Sequence, residues 1–151
     1  MTIPDRIERI EMLPVARERV WDAITKHLSQ WFDIVRDIDL RVGGTINFTS
    51  ENELSPYPAV IETIEPLHCF AFRWASHAFS HPHLKLPPTA TTLVTFTLEE
   101  VAEGTRLTLV ESGFASLPDA FQAQSHQDNL GGWQSELPKL GVYLQSDISA
   151  T

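Results

Sequence analysis

The sequence lacks the features that mark several large classes of protein. Cys69 is its single cysteine, so no disulfide forms within the 151 residues. No apolar stretch approaches the roughly 20 residues of a membrane helix, and a mixed polar segment follows Met1 where a targeting signal would be apolar. Lysine and arginine never cluster, and 20 acids against 11 bases give a net charge of −9. We therefore expect a cytoplasmic protein that neither binds nucleic acid nor inserts into a membrane.

Motifs of dedicated catalysis are also missing. The sequence contains no nucleophile elbow, phosphate-binding loop, dinucleotide fingerprint or zinc-protease motif, and Ser112 lacks the flanking pattern of a reactive serine. His77, His81 and His83 share a proline-containing loop without an accompanying Cys or Asp. Strong metal signatures combine ligands across rigid elements, so we interpret this loop as a surface or lid loop that could cover a cavity entrance. We expect no metal and no cofactor.

The composition that remains is that of one globular domain. Hydrophobic residues make up 42% of the chain and charged residues 21%, which is ordinary for a folded protein. No linker or internal repeat divides the chain, so residues 1–151 are predicted to form a single domain. Cys69 lies in an apolar run and is expected to be an inert small hydrophobe.

Helical periodicity occurs near both ends of the chain. Ile7 to Leu13 is predicted as a first strand, closed by Pro14, and Val15 to Leu28 as a helix. A shorter helix is expected to continue through Trp31 and Phe32, which we expect, with Trp21, to pack against the sheet and not to touch a ligand. A long amphipathic helix is predicted from Ser125 or His126 to Ser146, and because glycines and Pro138 interrupt it, tertiary packing must hold it.

The middle of the chain has the alternating pattern of antiparallel sheet. Gly43-Gly44 separates two alternating runs, which is typical of a hairpin. Further strands are predicted from Val60 to Ile64, Phe70 to Trp74, Thr91 to Leu98 and Thr105 to Gly113. One face of the Phe70 to Trp74 strand is strongly aromatic, so another element must cover it.

Glu111 interrupts the apolar face of the last predicted strand. In sequence it follows Leu107 and Leu109 at alternate positions. It is either an outward, solvated residue or an inward carboxylate that addresses a ligand, and we favour the inward orientation. Burial without a partner would cost several kcal/mol, so Arg73 and His126 are considered as partners.

Four blocks of the sequence resemble one family. They are Pro14 with Arg19-Val20-Trp21-Asp22-Ala23-Ile24 and Trp31-Phe32, Asp39-Leu40-Arg41-Val42-Gly43-Gly44, Gly104-Thr105-Arg106-Leu107-Thr108-Leu109 with Ser112-Gly113-Phe114, and Gly132-Trp133. Together they look like the SRPBCC superfamily, and within it like homologues of the activator of heat-shock-protein-90 ATPase, a branch of START-like domains. The blocks and the helix after them span residues 14–144, and their joint order is more specific than any one block.

The resemblance implies an α+β helix-grip fold. In that fold a curved seven-stranded antiparallel sheet wraps a long C-terminal helix, two short helices follow the first strand, and an apolar cavity lies between sheet and helix. The side chains expected to bind a ligand there come from the aromatic face of the sheet and from the last helix. They are Phe48, Phe72, Trp74, Phe96, Glu111, Trp133 and Leu137. Alternatively, these side chains simply fill a solid core.

Three functions remain open, because the fold alone does not decide among them. The first is binding of a small hydrophobic or aromatic ligand such as a lipid, a flavonoid or a polyketide-like compound. The second is a chaperone-interacting domain, although the chain carries only the START-like part of the full activator, so direct ATPase stimulation is not expected. The third is a cyclase or dehydratase that uses Glu111 or a histidine for proton transfer, but no acid and base pair is established by the sequence.

Overall fold

The computed structural model describes residues 5–50, 53–55, 57–76 and 90–149. Along these residues run eight strands and two α-helices. Their bounds are β1 Arg6–Leu13, α1 Arg17–Ile24, β2 Val35–Ile38, β3 Thr45–Ser50, β4 Glu53–Leu54, β5 Ala59–Glu65, β6 Cys69–Trp74, β7 Thr92–Val101, β8 Gly104–Ser112 and α2 Asp119–Ser149. Short 3₁₀ turns cover Leu28–Gln30 and Phe114–Ser116. The predicted helix-grip fold is confirmed.

The strands form one antiparallel sheet in the order β1-β8-β7-β6-β5-β3-β2, with the two-residue β4 attached to β3. The continuous path therefore has the seven strands expected from the resemblance. The register shifts between Val35 and Asp37 in β2 and between Ile61 and Thr63 in β5. Such irregularities increase the local twist and bend a strand, so they help the sheet to curl around α2.

The core lies between the inner face of the sheet and α2. In β8 the buried positions are alternate residues that include Leu107, Leu109 and Glu111. Helix α2 contributes buried side chains at helical spacing: Trp133, Leu137, Leu140 and Leu144. Burial of each such apolar side chain contributes roughly 1.5–3 kcal/mol, which offsets the poor helix propensity of the glycines in α2. None of the helices that the structure describes combines the length and apolarity needed to cross a bilayer.

The first helix is shorter than predicted. It ends at Ile24, where the Thr25 hydroxyl donates a buried hydrogen bond of 2.6 Å to the Trp21 carbonyl. The apolar spacing continues to Leu28, which is fully buried in the 3₁₀ turn. The apolar spacing therefore predicted correctly that Leu28 is buried. It did not predict that the backbone changes from α-helix to 3₁₀ turn before this residue. The expected second helix through Trp31 and Phe32 is this 3₁₀ turn, which ends just before Trp31.

Two further boundaries differ from the prediction. Strand β2 ends at Ile38, and Leu40 and Val42 are exposed in a turn that spans residues 39–44. Gly43 in that turn has φ of +83°, a conformation that favours glycine. Helix α2 begins at Asp119, six residues before Ser125. None of its first six residues is buried, so they lack the apolar stripe from which the rest of the helix was predicted.

Candidate functional site

A pocket of about 140 Å³ lies between α2, the end of β6 and the segment that leads into β2. Its lining is partly aromatic and partly polar. The residues are Phe32, Ile34, Trp74, Ser76, Asp128, Asn129, Gly132, Trp133 and Glu136. Larger depressions of about 400 and 430 Å³ are more open to solvent and are lined in part by the exposed side chains Val142 and Val60.

Three aromatic rings that line the pocket contact one another. Trp74 and Trp133 stack with ring centroids 5.7 Å apart, and Phe32 lies edge-on to both, at 6.2 Å from Trp74 and 5.5 Å from Trp133. Each ring comes from a different element, since Trp74 ends β6, Trp133 lies in α2 and Phe32 follows the 3₁₀ turn. Aromatic pairs at such distances add to the energy of simple burial, so these rings form a rigid wall.

Glu111 connects two of these rings from behind. Its side chain is 0% exposed. The indole N–H of Trp74 donates to Oε2 at 2.9 Å, and the indole N–H of Trp133 donates to Oε1 at 2.9 Å. The hydroxyl of Thr92 and the side-chain amide of Asn129 also donate to Oε2, at 2.6 and 2.8 Å. The carboxylate thus joins β6, β7, β8 and α2.

The inward orientation of Glu111 is confirmed, but its partners are not those considered from the sequence. Arg73 pairs with Glu62 at 2.6 Å on the outer side of the sheet. His126 lies 3.2 Å from the Arg6 carbonyl and packs on Phe114. The partners of Glu111 are neutral donors, and indole and amide N–H groups leave no mark in the sequence as obvious as that of a basic residue.

Carboxylates also stand in the pocket lining. Asp128 and Glu136 are both part of it, and Oε1 of Glu136 lies 3.2 Å from Nζ of Lys139. Nζ of Lys139 also lies 2.7 Å from Oδ2 of Asp33. The hydrogen bonds of Lys139 to Asp33 and Glu136 raise its pKa above the ordinary value of a lysine. Oε2 of Glu136 is buried and has no hydrogen-bond partner among the described residues.

The seven side chains expected to bind a ligand occupy three kinds of position. Trp74 and Trp133 line the pocket, and Glu111 lies directly behind them. The other four are buried in the core: Phe48, Phe72, Phe96 and Leu137. The ring centroids of Phe48 and Phe72 lie 5.7 and 5.4 Å from that of Trp74, and the ring centroid of Phe96 lies 6.1 Å from that of Trp133. These rings fill much of the space between sheet and helix and support the pocket wall.

Several lining residues were missed by the sequence analysis. Phe32 was expected to have a purely structural role, yet it lines the pocket. Asn129 and Glu136 lie four residues before and three residues after Trp133, so helical spacing alone places them on the same face of α2. That signal was available and could have identified both. His77, His81 and His83 lie outside the described residues.

Cys69 is not part of the pocket. Its thiol is half-buried at the start of β6, and burial, together with the nearby charge of Glu65, raises its pKa above the ordinary value. A raised pKa means less thiolate at neutral pH, which agrees with the expectation of an unreactive side chain.

Comparison with known proteins supports the resemblance. The model of a family described as Activator of Hsp90 ATPase homolog 1-like protein matches residues 14–145. The comparison with curated proteins yields no match.

Solved structures share the fold at low sequence identity. A crystal structure of protein MLL2253 from Mesorhizobium loti superposes with a TM-score of 0.73 and 22% identity, over 93% of this chain and 97% of that one. DynU16, from the dynemicin biosynthetic locus, gives a TM-score of 0.70 and 23% identity, over 96% of this chain and 49% of its own. CalU16 from Micromonospora echinospora gives 0.62 and 20%, over 94% and 74%. At these identities the likeness concerns the fold alone.

Proposed function

This chain belongs to the family of Activator of Hsp90 ATPase homolog 1-like proteins, and on that basis we propose that it binds a small apolar or aromatic molecule between α2 and the sheet. The observation that carries the proposal is the wall formed by Trp74 and Trp133, which line the pocket while both indole N–H groups are held by the buried carboxylate of Glu111. Pockets with apolar walls and a few fixed polar groups are typical of small-molecule sites.

The volume of the pocket limits the size of the ligand. A cavity of about 150 Å³ in another protein is large enough to bind benzene, and the pocket here measures about 140 Å³. Of the ligand classes predicted from the sequence, a molecule with one aromatic ring therefore fits best. A lipid, flavonoid or polyketide-like compound would require the core rings of Phe48, Phe72 or Phe96 to move.

Glu111 prepares the pocket wall for binding. A ligand that orders mobile side chains must offset their lost conformational freedom, about 0.5–1.5 kcal/mol for each side chain. The hydrogen bonds to Glu111 fix both indoles before a ligand arrives. We therefore assign Glu111 a positioning role.

The other two functions are less well supported. Proton transfer requires a second group within reach of the reacting atom, whereas Glu111 accepts four hydrogen bonds from neutral groups, an arrangement suited to holding side chains. A chaperone-interacting role, which the family description suggests, would depend on the outer surface and is compatible with an occupied pocket.

The proposal is tested by filling the pocket from α2. An added Cβ at Gly132 or at its neighbour Gly131 would meet no atom within 4 Å, but Gly132 lines the pocket and Gly131 does not. We expect single-ring probes such as benzyl alcohol, phenol and toluene to shift the indole N–H NMR signals of Trp74 and Trp133 in a saturable way. Gly132→Leu should weaken this binding at least tenfold, while the matched control Gly131→Leu should leave it unchanged.

Two results would contradict the proposal. One is a complete absence of shifts at both indoles with all three probes. The other is equal binding by the Gly132→Leu and Gly131→Leu variants, because a pocket bordered by Gly132 cannot accept a leucine side chain without losing volume. Unfolding curves in urea would show that both variants remain folded.

A further inference from the structure

The charged side chains in the pocket lining are all acidic. Asp128 and Glu136 belong to the lining itself, and no Lys, Arg or His is found among the described lining residues. Glu111 adds a third carboxylate behind the wall, and Lys139 offsets only part of this charge because it is also paired with Asp33. The pocket is therefore electrostatically unfavourable for an anion and favourable for a cation.

Most hydrogen-bond donors around the pocket already have acceptors. Both indole N–H groups donate to Glu111, and the amide nitrogen of Asn129 donates to Glu111 and to the hydroxyl of Ser76. What the wall offers a ligand is chiefly acceptor oxygen. A ligand carrying a carboxylate or phosphate would thus find few donors, whereas a ligand with N–H groups would find acceptors.

Glu136 supplies such an acceptor. Its Oε1 is paired with Lys139, but its Oε2 is buried and has no hydrogen-bond partner among the described residues. A buried polar atom without a partner is costly. A donor brought by the ligand would remove this cost, and a positively charged donor would form a stronger, charge-assisted hydrogen bond.

The aromatic rings act in the same direction. Tryptophan attracts cations to its ring face more strongly than phenylalanine does, and both side chains are present in the lining as Trp74, Trp133 and Phe32. Aromatic rings next to a carboxylate are a common arrangement for binding organic ammonium groups. The same rings would also pack against the apolar part of such a molecule.

We propose that the ligand of this pocket is an organic cation, a protonated amine carried on a single small apolar ring, with Glu136 as the residue that binds the ammonium group. This inference rests on the proposed function, since it specifies the chemistry of a ligand in the same pocket.

Three probes of the same size but different charge test the inference. Benzylamine is protonated at pH 7, benzyl alcohol is neutral and benzoate is negatively charged. Their affinities for the wild-type protein are measured by titration against the indole N–H signals of Trp74 and Trp133. We expect benzylamine to bind about tenfold more tightly than benzyl alcohol, and benzoate to bind more weakly than either.

Two variants identify the residue responsible. Glu136→Gln keeps the shape of the side chain but removes its charge, and should weaken benzylamine binding about tenfold with little effect on benzyl alcohol. Glu18→Gln removes one negative charge from an exposed position in α1, away from the pocket, and should change neither affinity. This control separates a specific contact from the general attraction of a cation to a chain with net charge −9.

The possible results distinguish the two proposals. If benzyl alcohol binds as tightly as benzylamine, or if Glu136→Gln leaves benzylamine binding intact, the inference about charge is wrong while the proposed function stands. If none of the three probes binds at the pocket, the proposed function fails as well.

Discussion

Glu111 is a carboxylate with no exposure to solvent and no cationic partner among the hydrogen bonds of the described residues. Transferring an ion from water into a protein costs several kcal/mol unless its lone pairs are satisfied. A carboxylate offers about four lone-pair positions, and four neutral donors reach Glu111. Three of these donors converge on Oε2 and one reaches Oε1, so the side chain of Glu111 is held on both oxygens, and the donors depend on it as much as it depends on them.

Replacing Glu111 should separate charge from shape. In Glu111→Gln the amide nitrogen must face at least one N–H donor, so we expect a loss of about 2–3 kcal/mol in the free energy of unfolding. In Glu111→Leu four neutral donors lose this acceptor, and because each unsatisfied buried donor costs about 1–3 kcal/mol, the loss should be larger than in Glu111→Gln. Urea denaturation measures both.

The control for this prediction is Glu99→Gln. Glu99 lies in β7 and forms an exposed ion pair with Arg106, so its removal should change stability by less than about 1 kcal/mol. A Glu111→Gln variant as stable as the wild type would contradict the view that the carboxylate holds the network.

For single residues such as Glu111, the sequence indicated the face of the sheet on which a side chain lies better than it indicated its hydrogen-bond partners. The alternation of Leu107, Leu109 and Glu111 made an inward carboxylate one of two orientations, because strand geometry fixes which side chains share a face, and the family resemblance favoured it. It could not reveal Trp74, Thr92 and Asn129 as partners of Glu111, since they come from elements distant in sequence. The ligand-binding role of the seven expected residues stays a prediction.

Helix α2 is the element on which the pocket depends, and its sequence is poorly suited to a helix. It contains Gly131, Gly132, Gly141 and Pro138. None of the three glycines is in a positive-φ conformation, and a Cβ added at any of them would meet no atom within 4 Å. Close approach of a neighbouring element therefore does not explain why these residues are glycines. Gly132 differs from the other two because it borders the pocket.

Glycine-to-alanine changes away from the pocket should therefore stabilise the protein. Gly131→Ala and Gly141→Ala should each raise the free energy of unfolding by about 0.5–1 kcal/mol, because glycine loses more backbone freedom on folding than alanine. The two sites are roughly 15 Å apart along the helix axis, so the effects should add. Thermal denaturation of the single and double variants measures them.

Gly104→Ala provides the opposite case. Gly104 has φ of +145°, and an added Cβ would lie 2.2 Å from the Leu13 carbonyl oxygen, so this substitution should destabilise the protein. If Gly131→Ala and Gly141→Ala were also destabilising, the prediction would be wrong, because it requires free space for a Cβ at both positions.

Elements were predictable where a periodic apolar face extends through them. Strands β5 to β8 and most of α2 were located from alternation or helical spacing. The prediction was wrong where burial and secondary structure separate, as at Leu28, which is buried in a 3₁₀ turn, and at Leu40 and Val42, which are apolar but exposed. Local pattern alone does not show which apolar side chains the tertiary structure covers.

In the whole molecule, the sheet has one strongly paired part and one weakly paired part. Continuous pairing joins β7 to β8 from Leu93 to Val101, and joins β8 to β1 along the whole of β1. By contrast, among the described residues β3 pairs with β5 through Thr45 with Val60 and Ile46 with Ala59, and two backbone hydrogen bonds between Gly43-Gly44 and Ile61 extend this short contact. Strand β6 belongs to the strongly paired part, because it pairs with β7 along its whole length, and β2 belongs to the weakly paired part with β3. The pocket lies between the two parts, since Trp74 ends β6 while Phe32 and Ile34 lead into β2.

This arrangement predicts an uneven pattern of amide hydrogen exchange. Backbone N–H groups of β7 and β8 should exchange only through global unfolding, whereas those of β2 and β3 should also exchange through local opening at lower free energy. Hydrogen exchange followed by NMR at increasing urea concentration measures both classes, because local opening depends little on denaturant. Equal protection of β2 and β8 would contradict this prediction, because it would mean that the whole sheet unfolds as one cooperative unit despite the short β3–β5 contact.

If β2 and β3 do open first, the pocket gains a route for ligand entry. The segment that carries Phe32 would move, while the hydrogen bonds of Glu111 keep Trp74 and Trp133 in place.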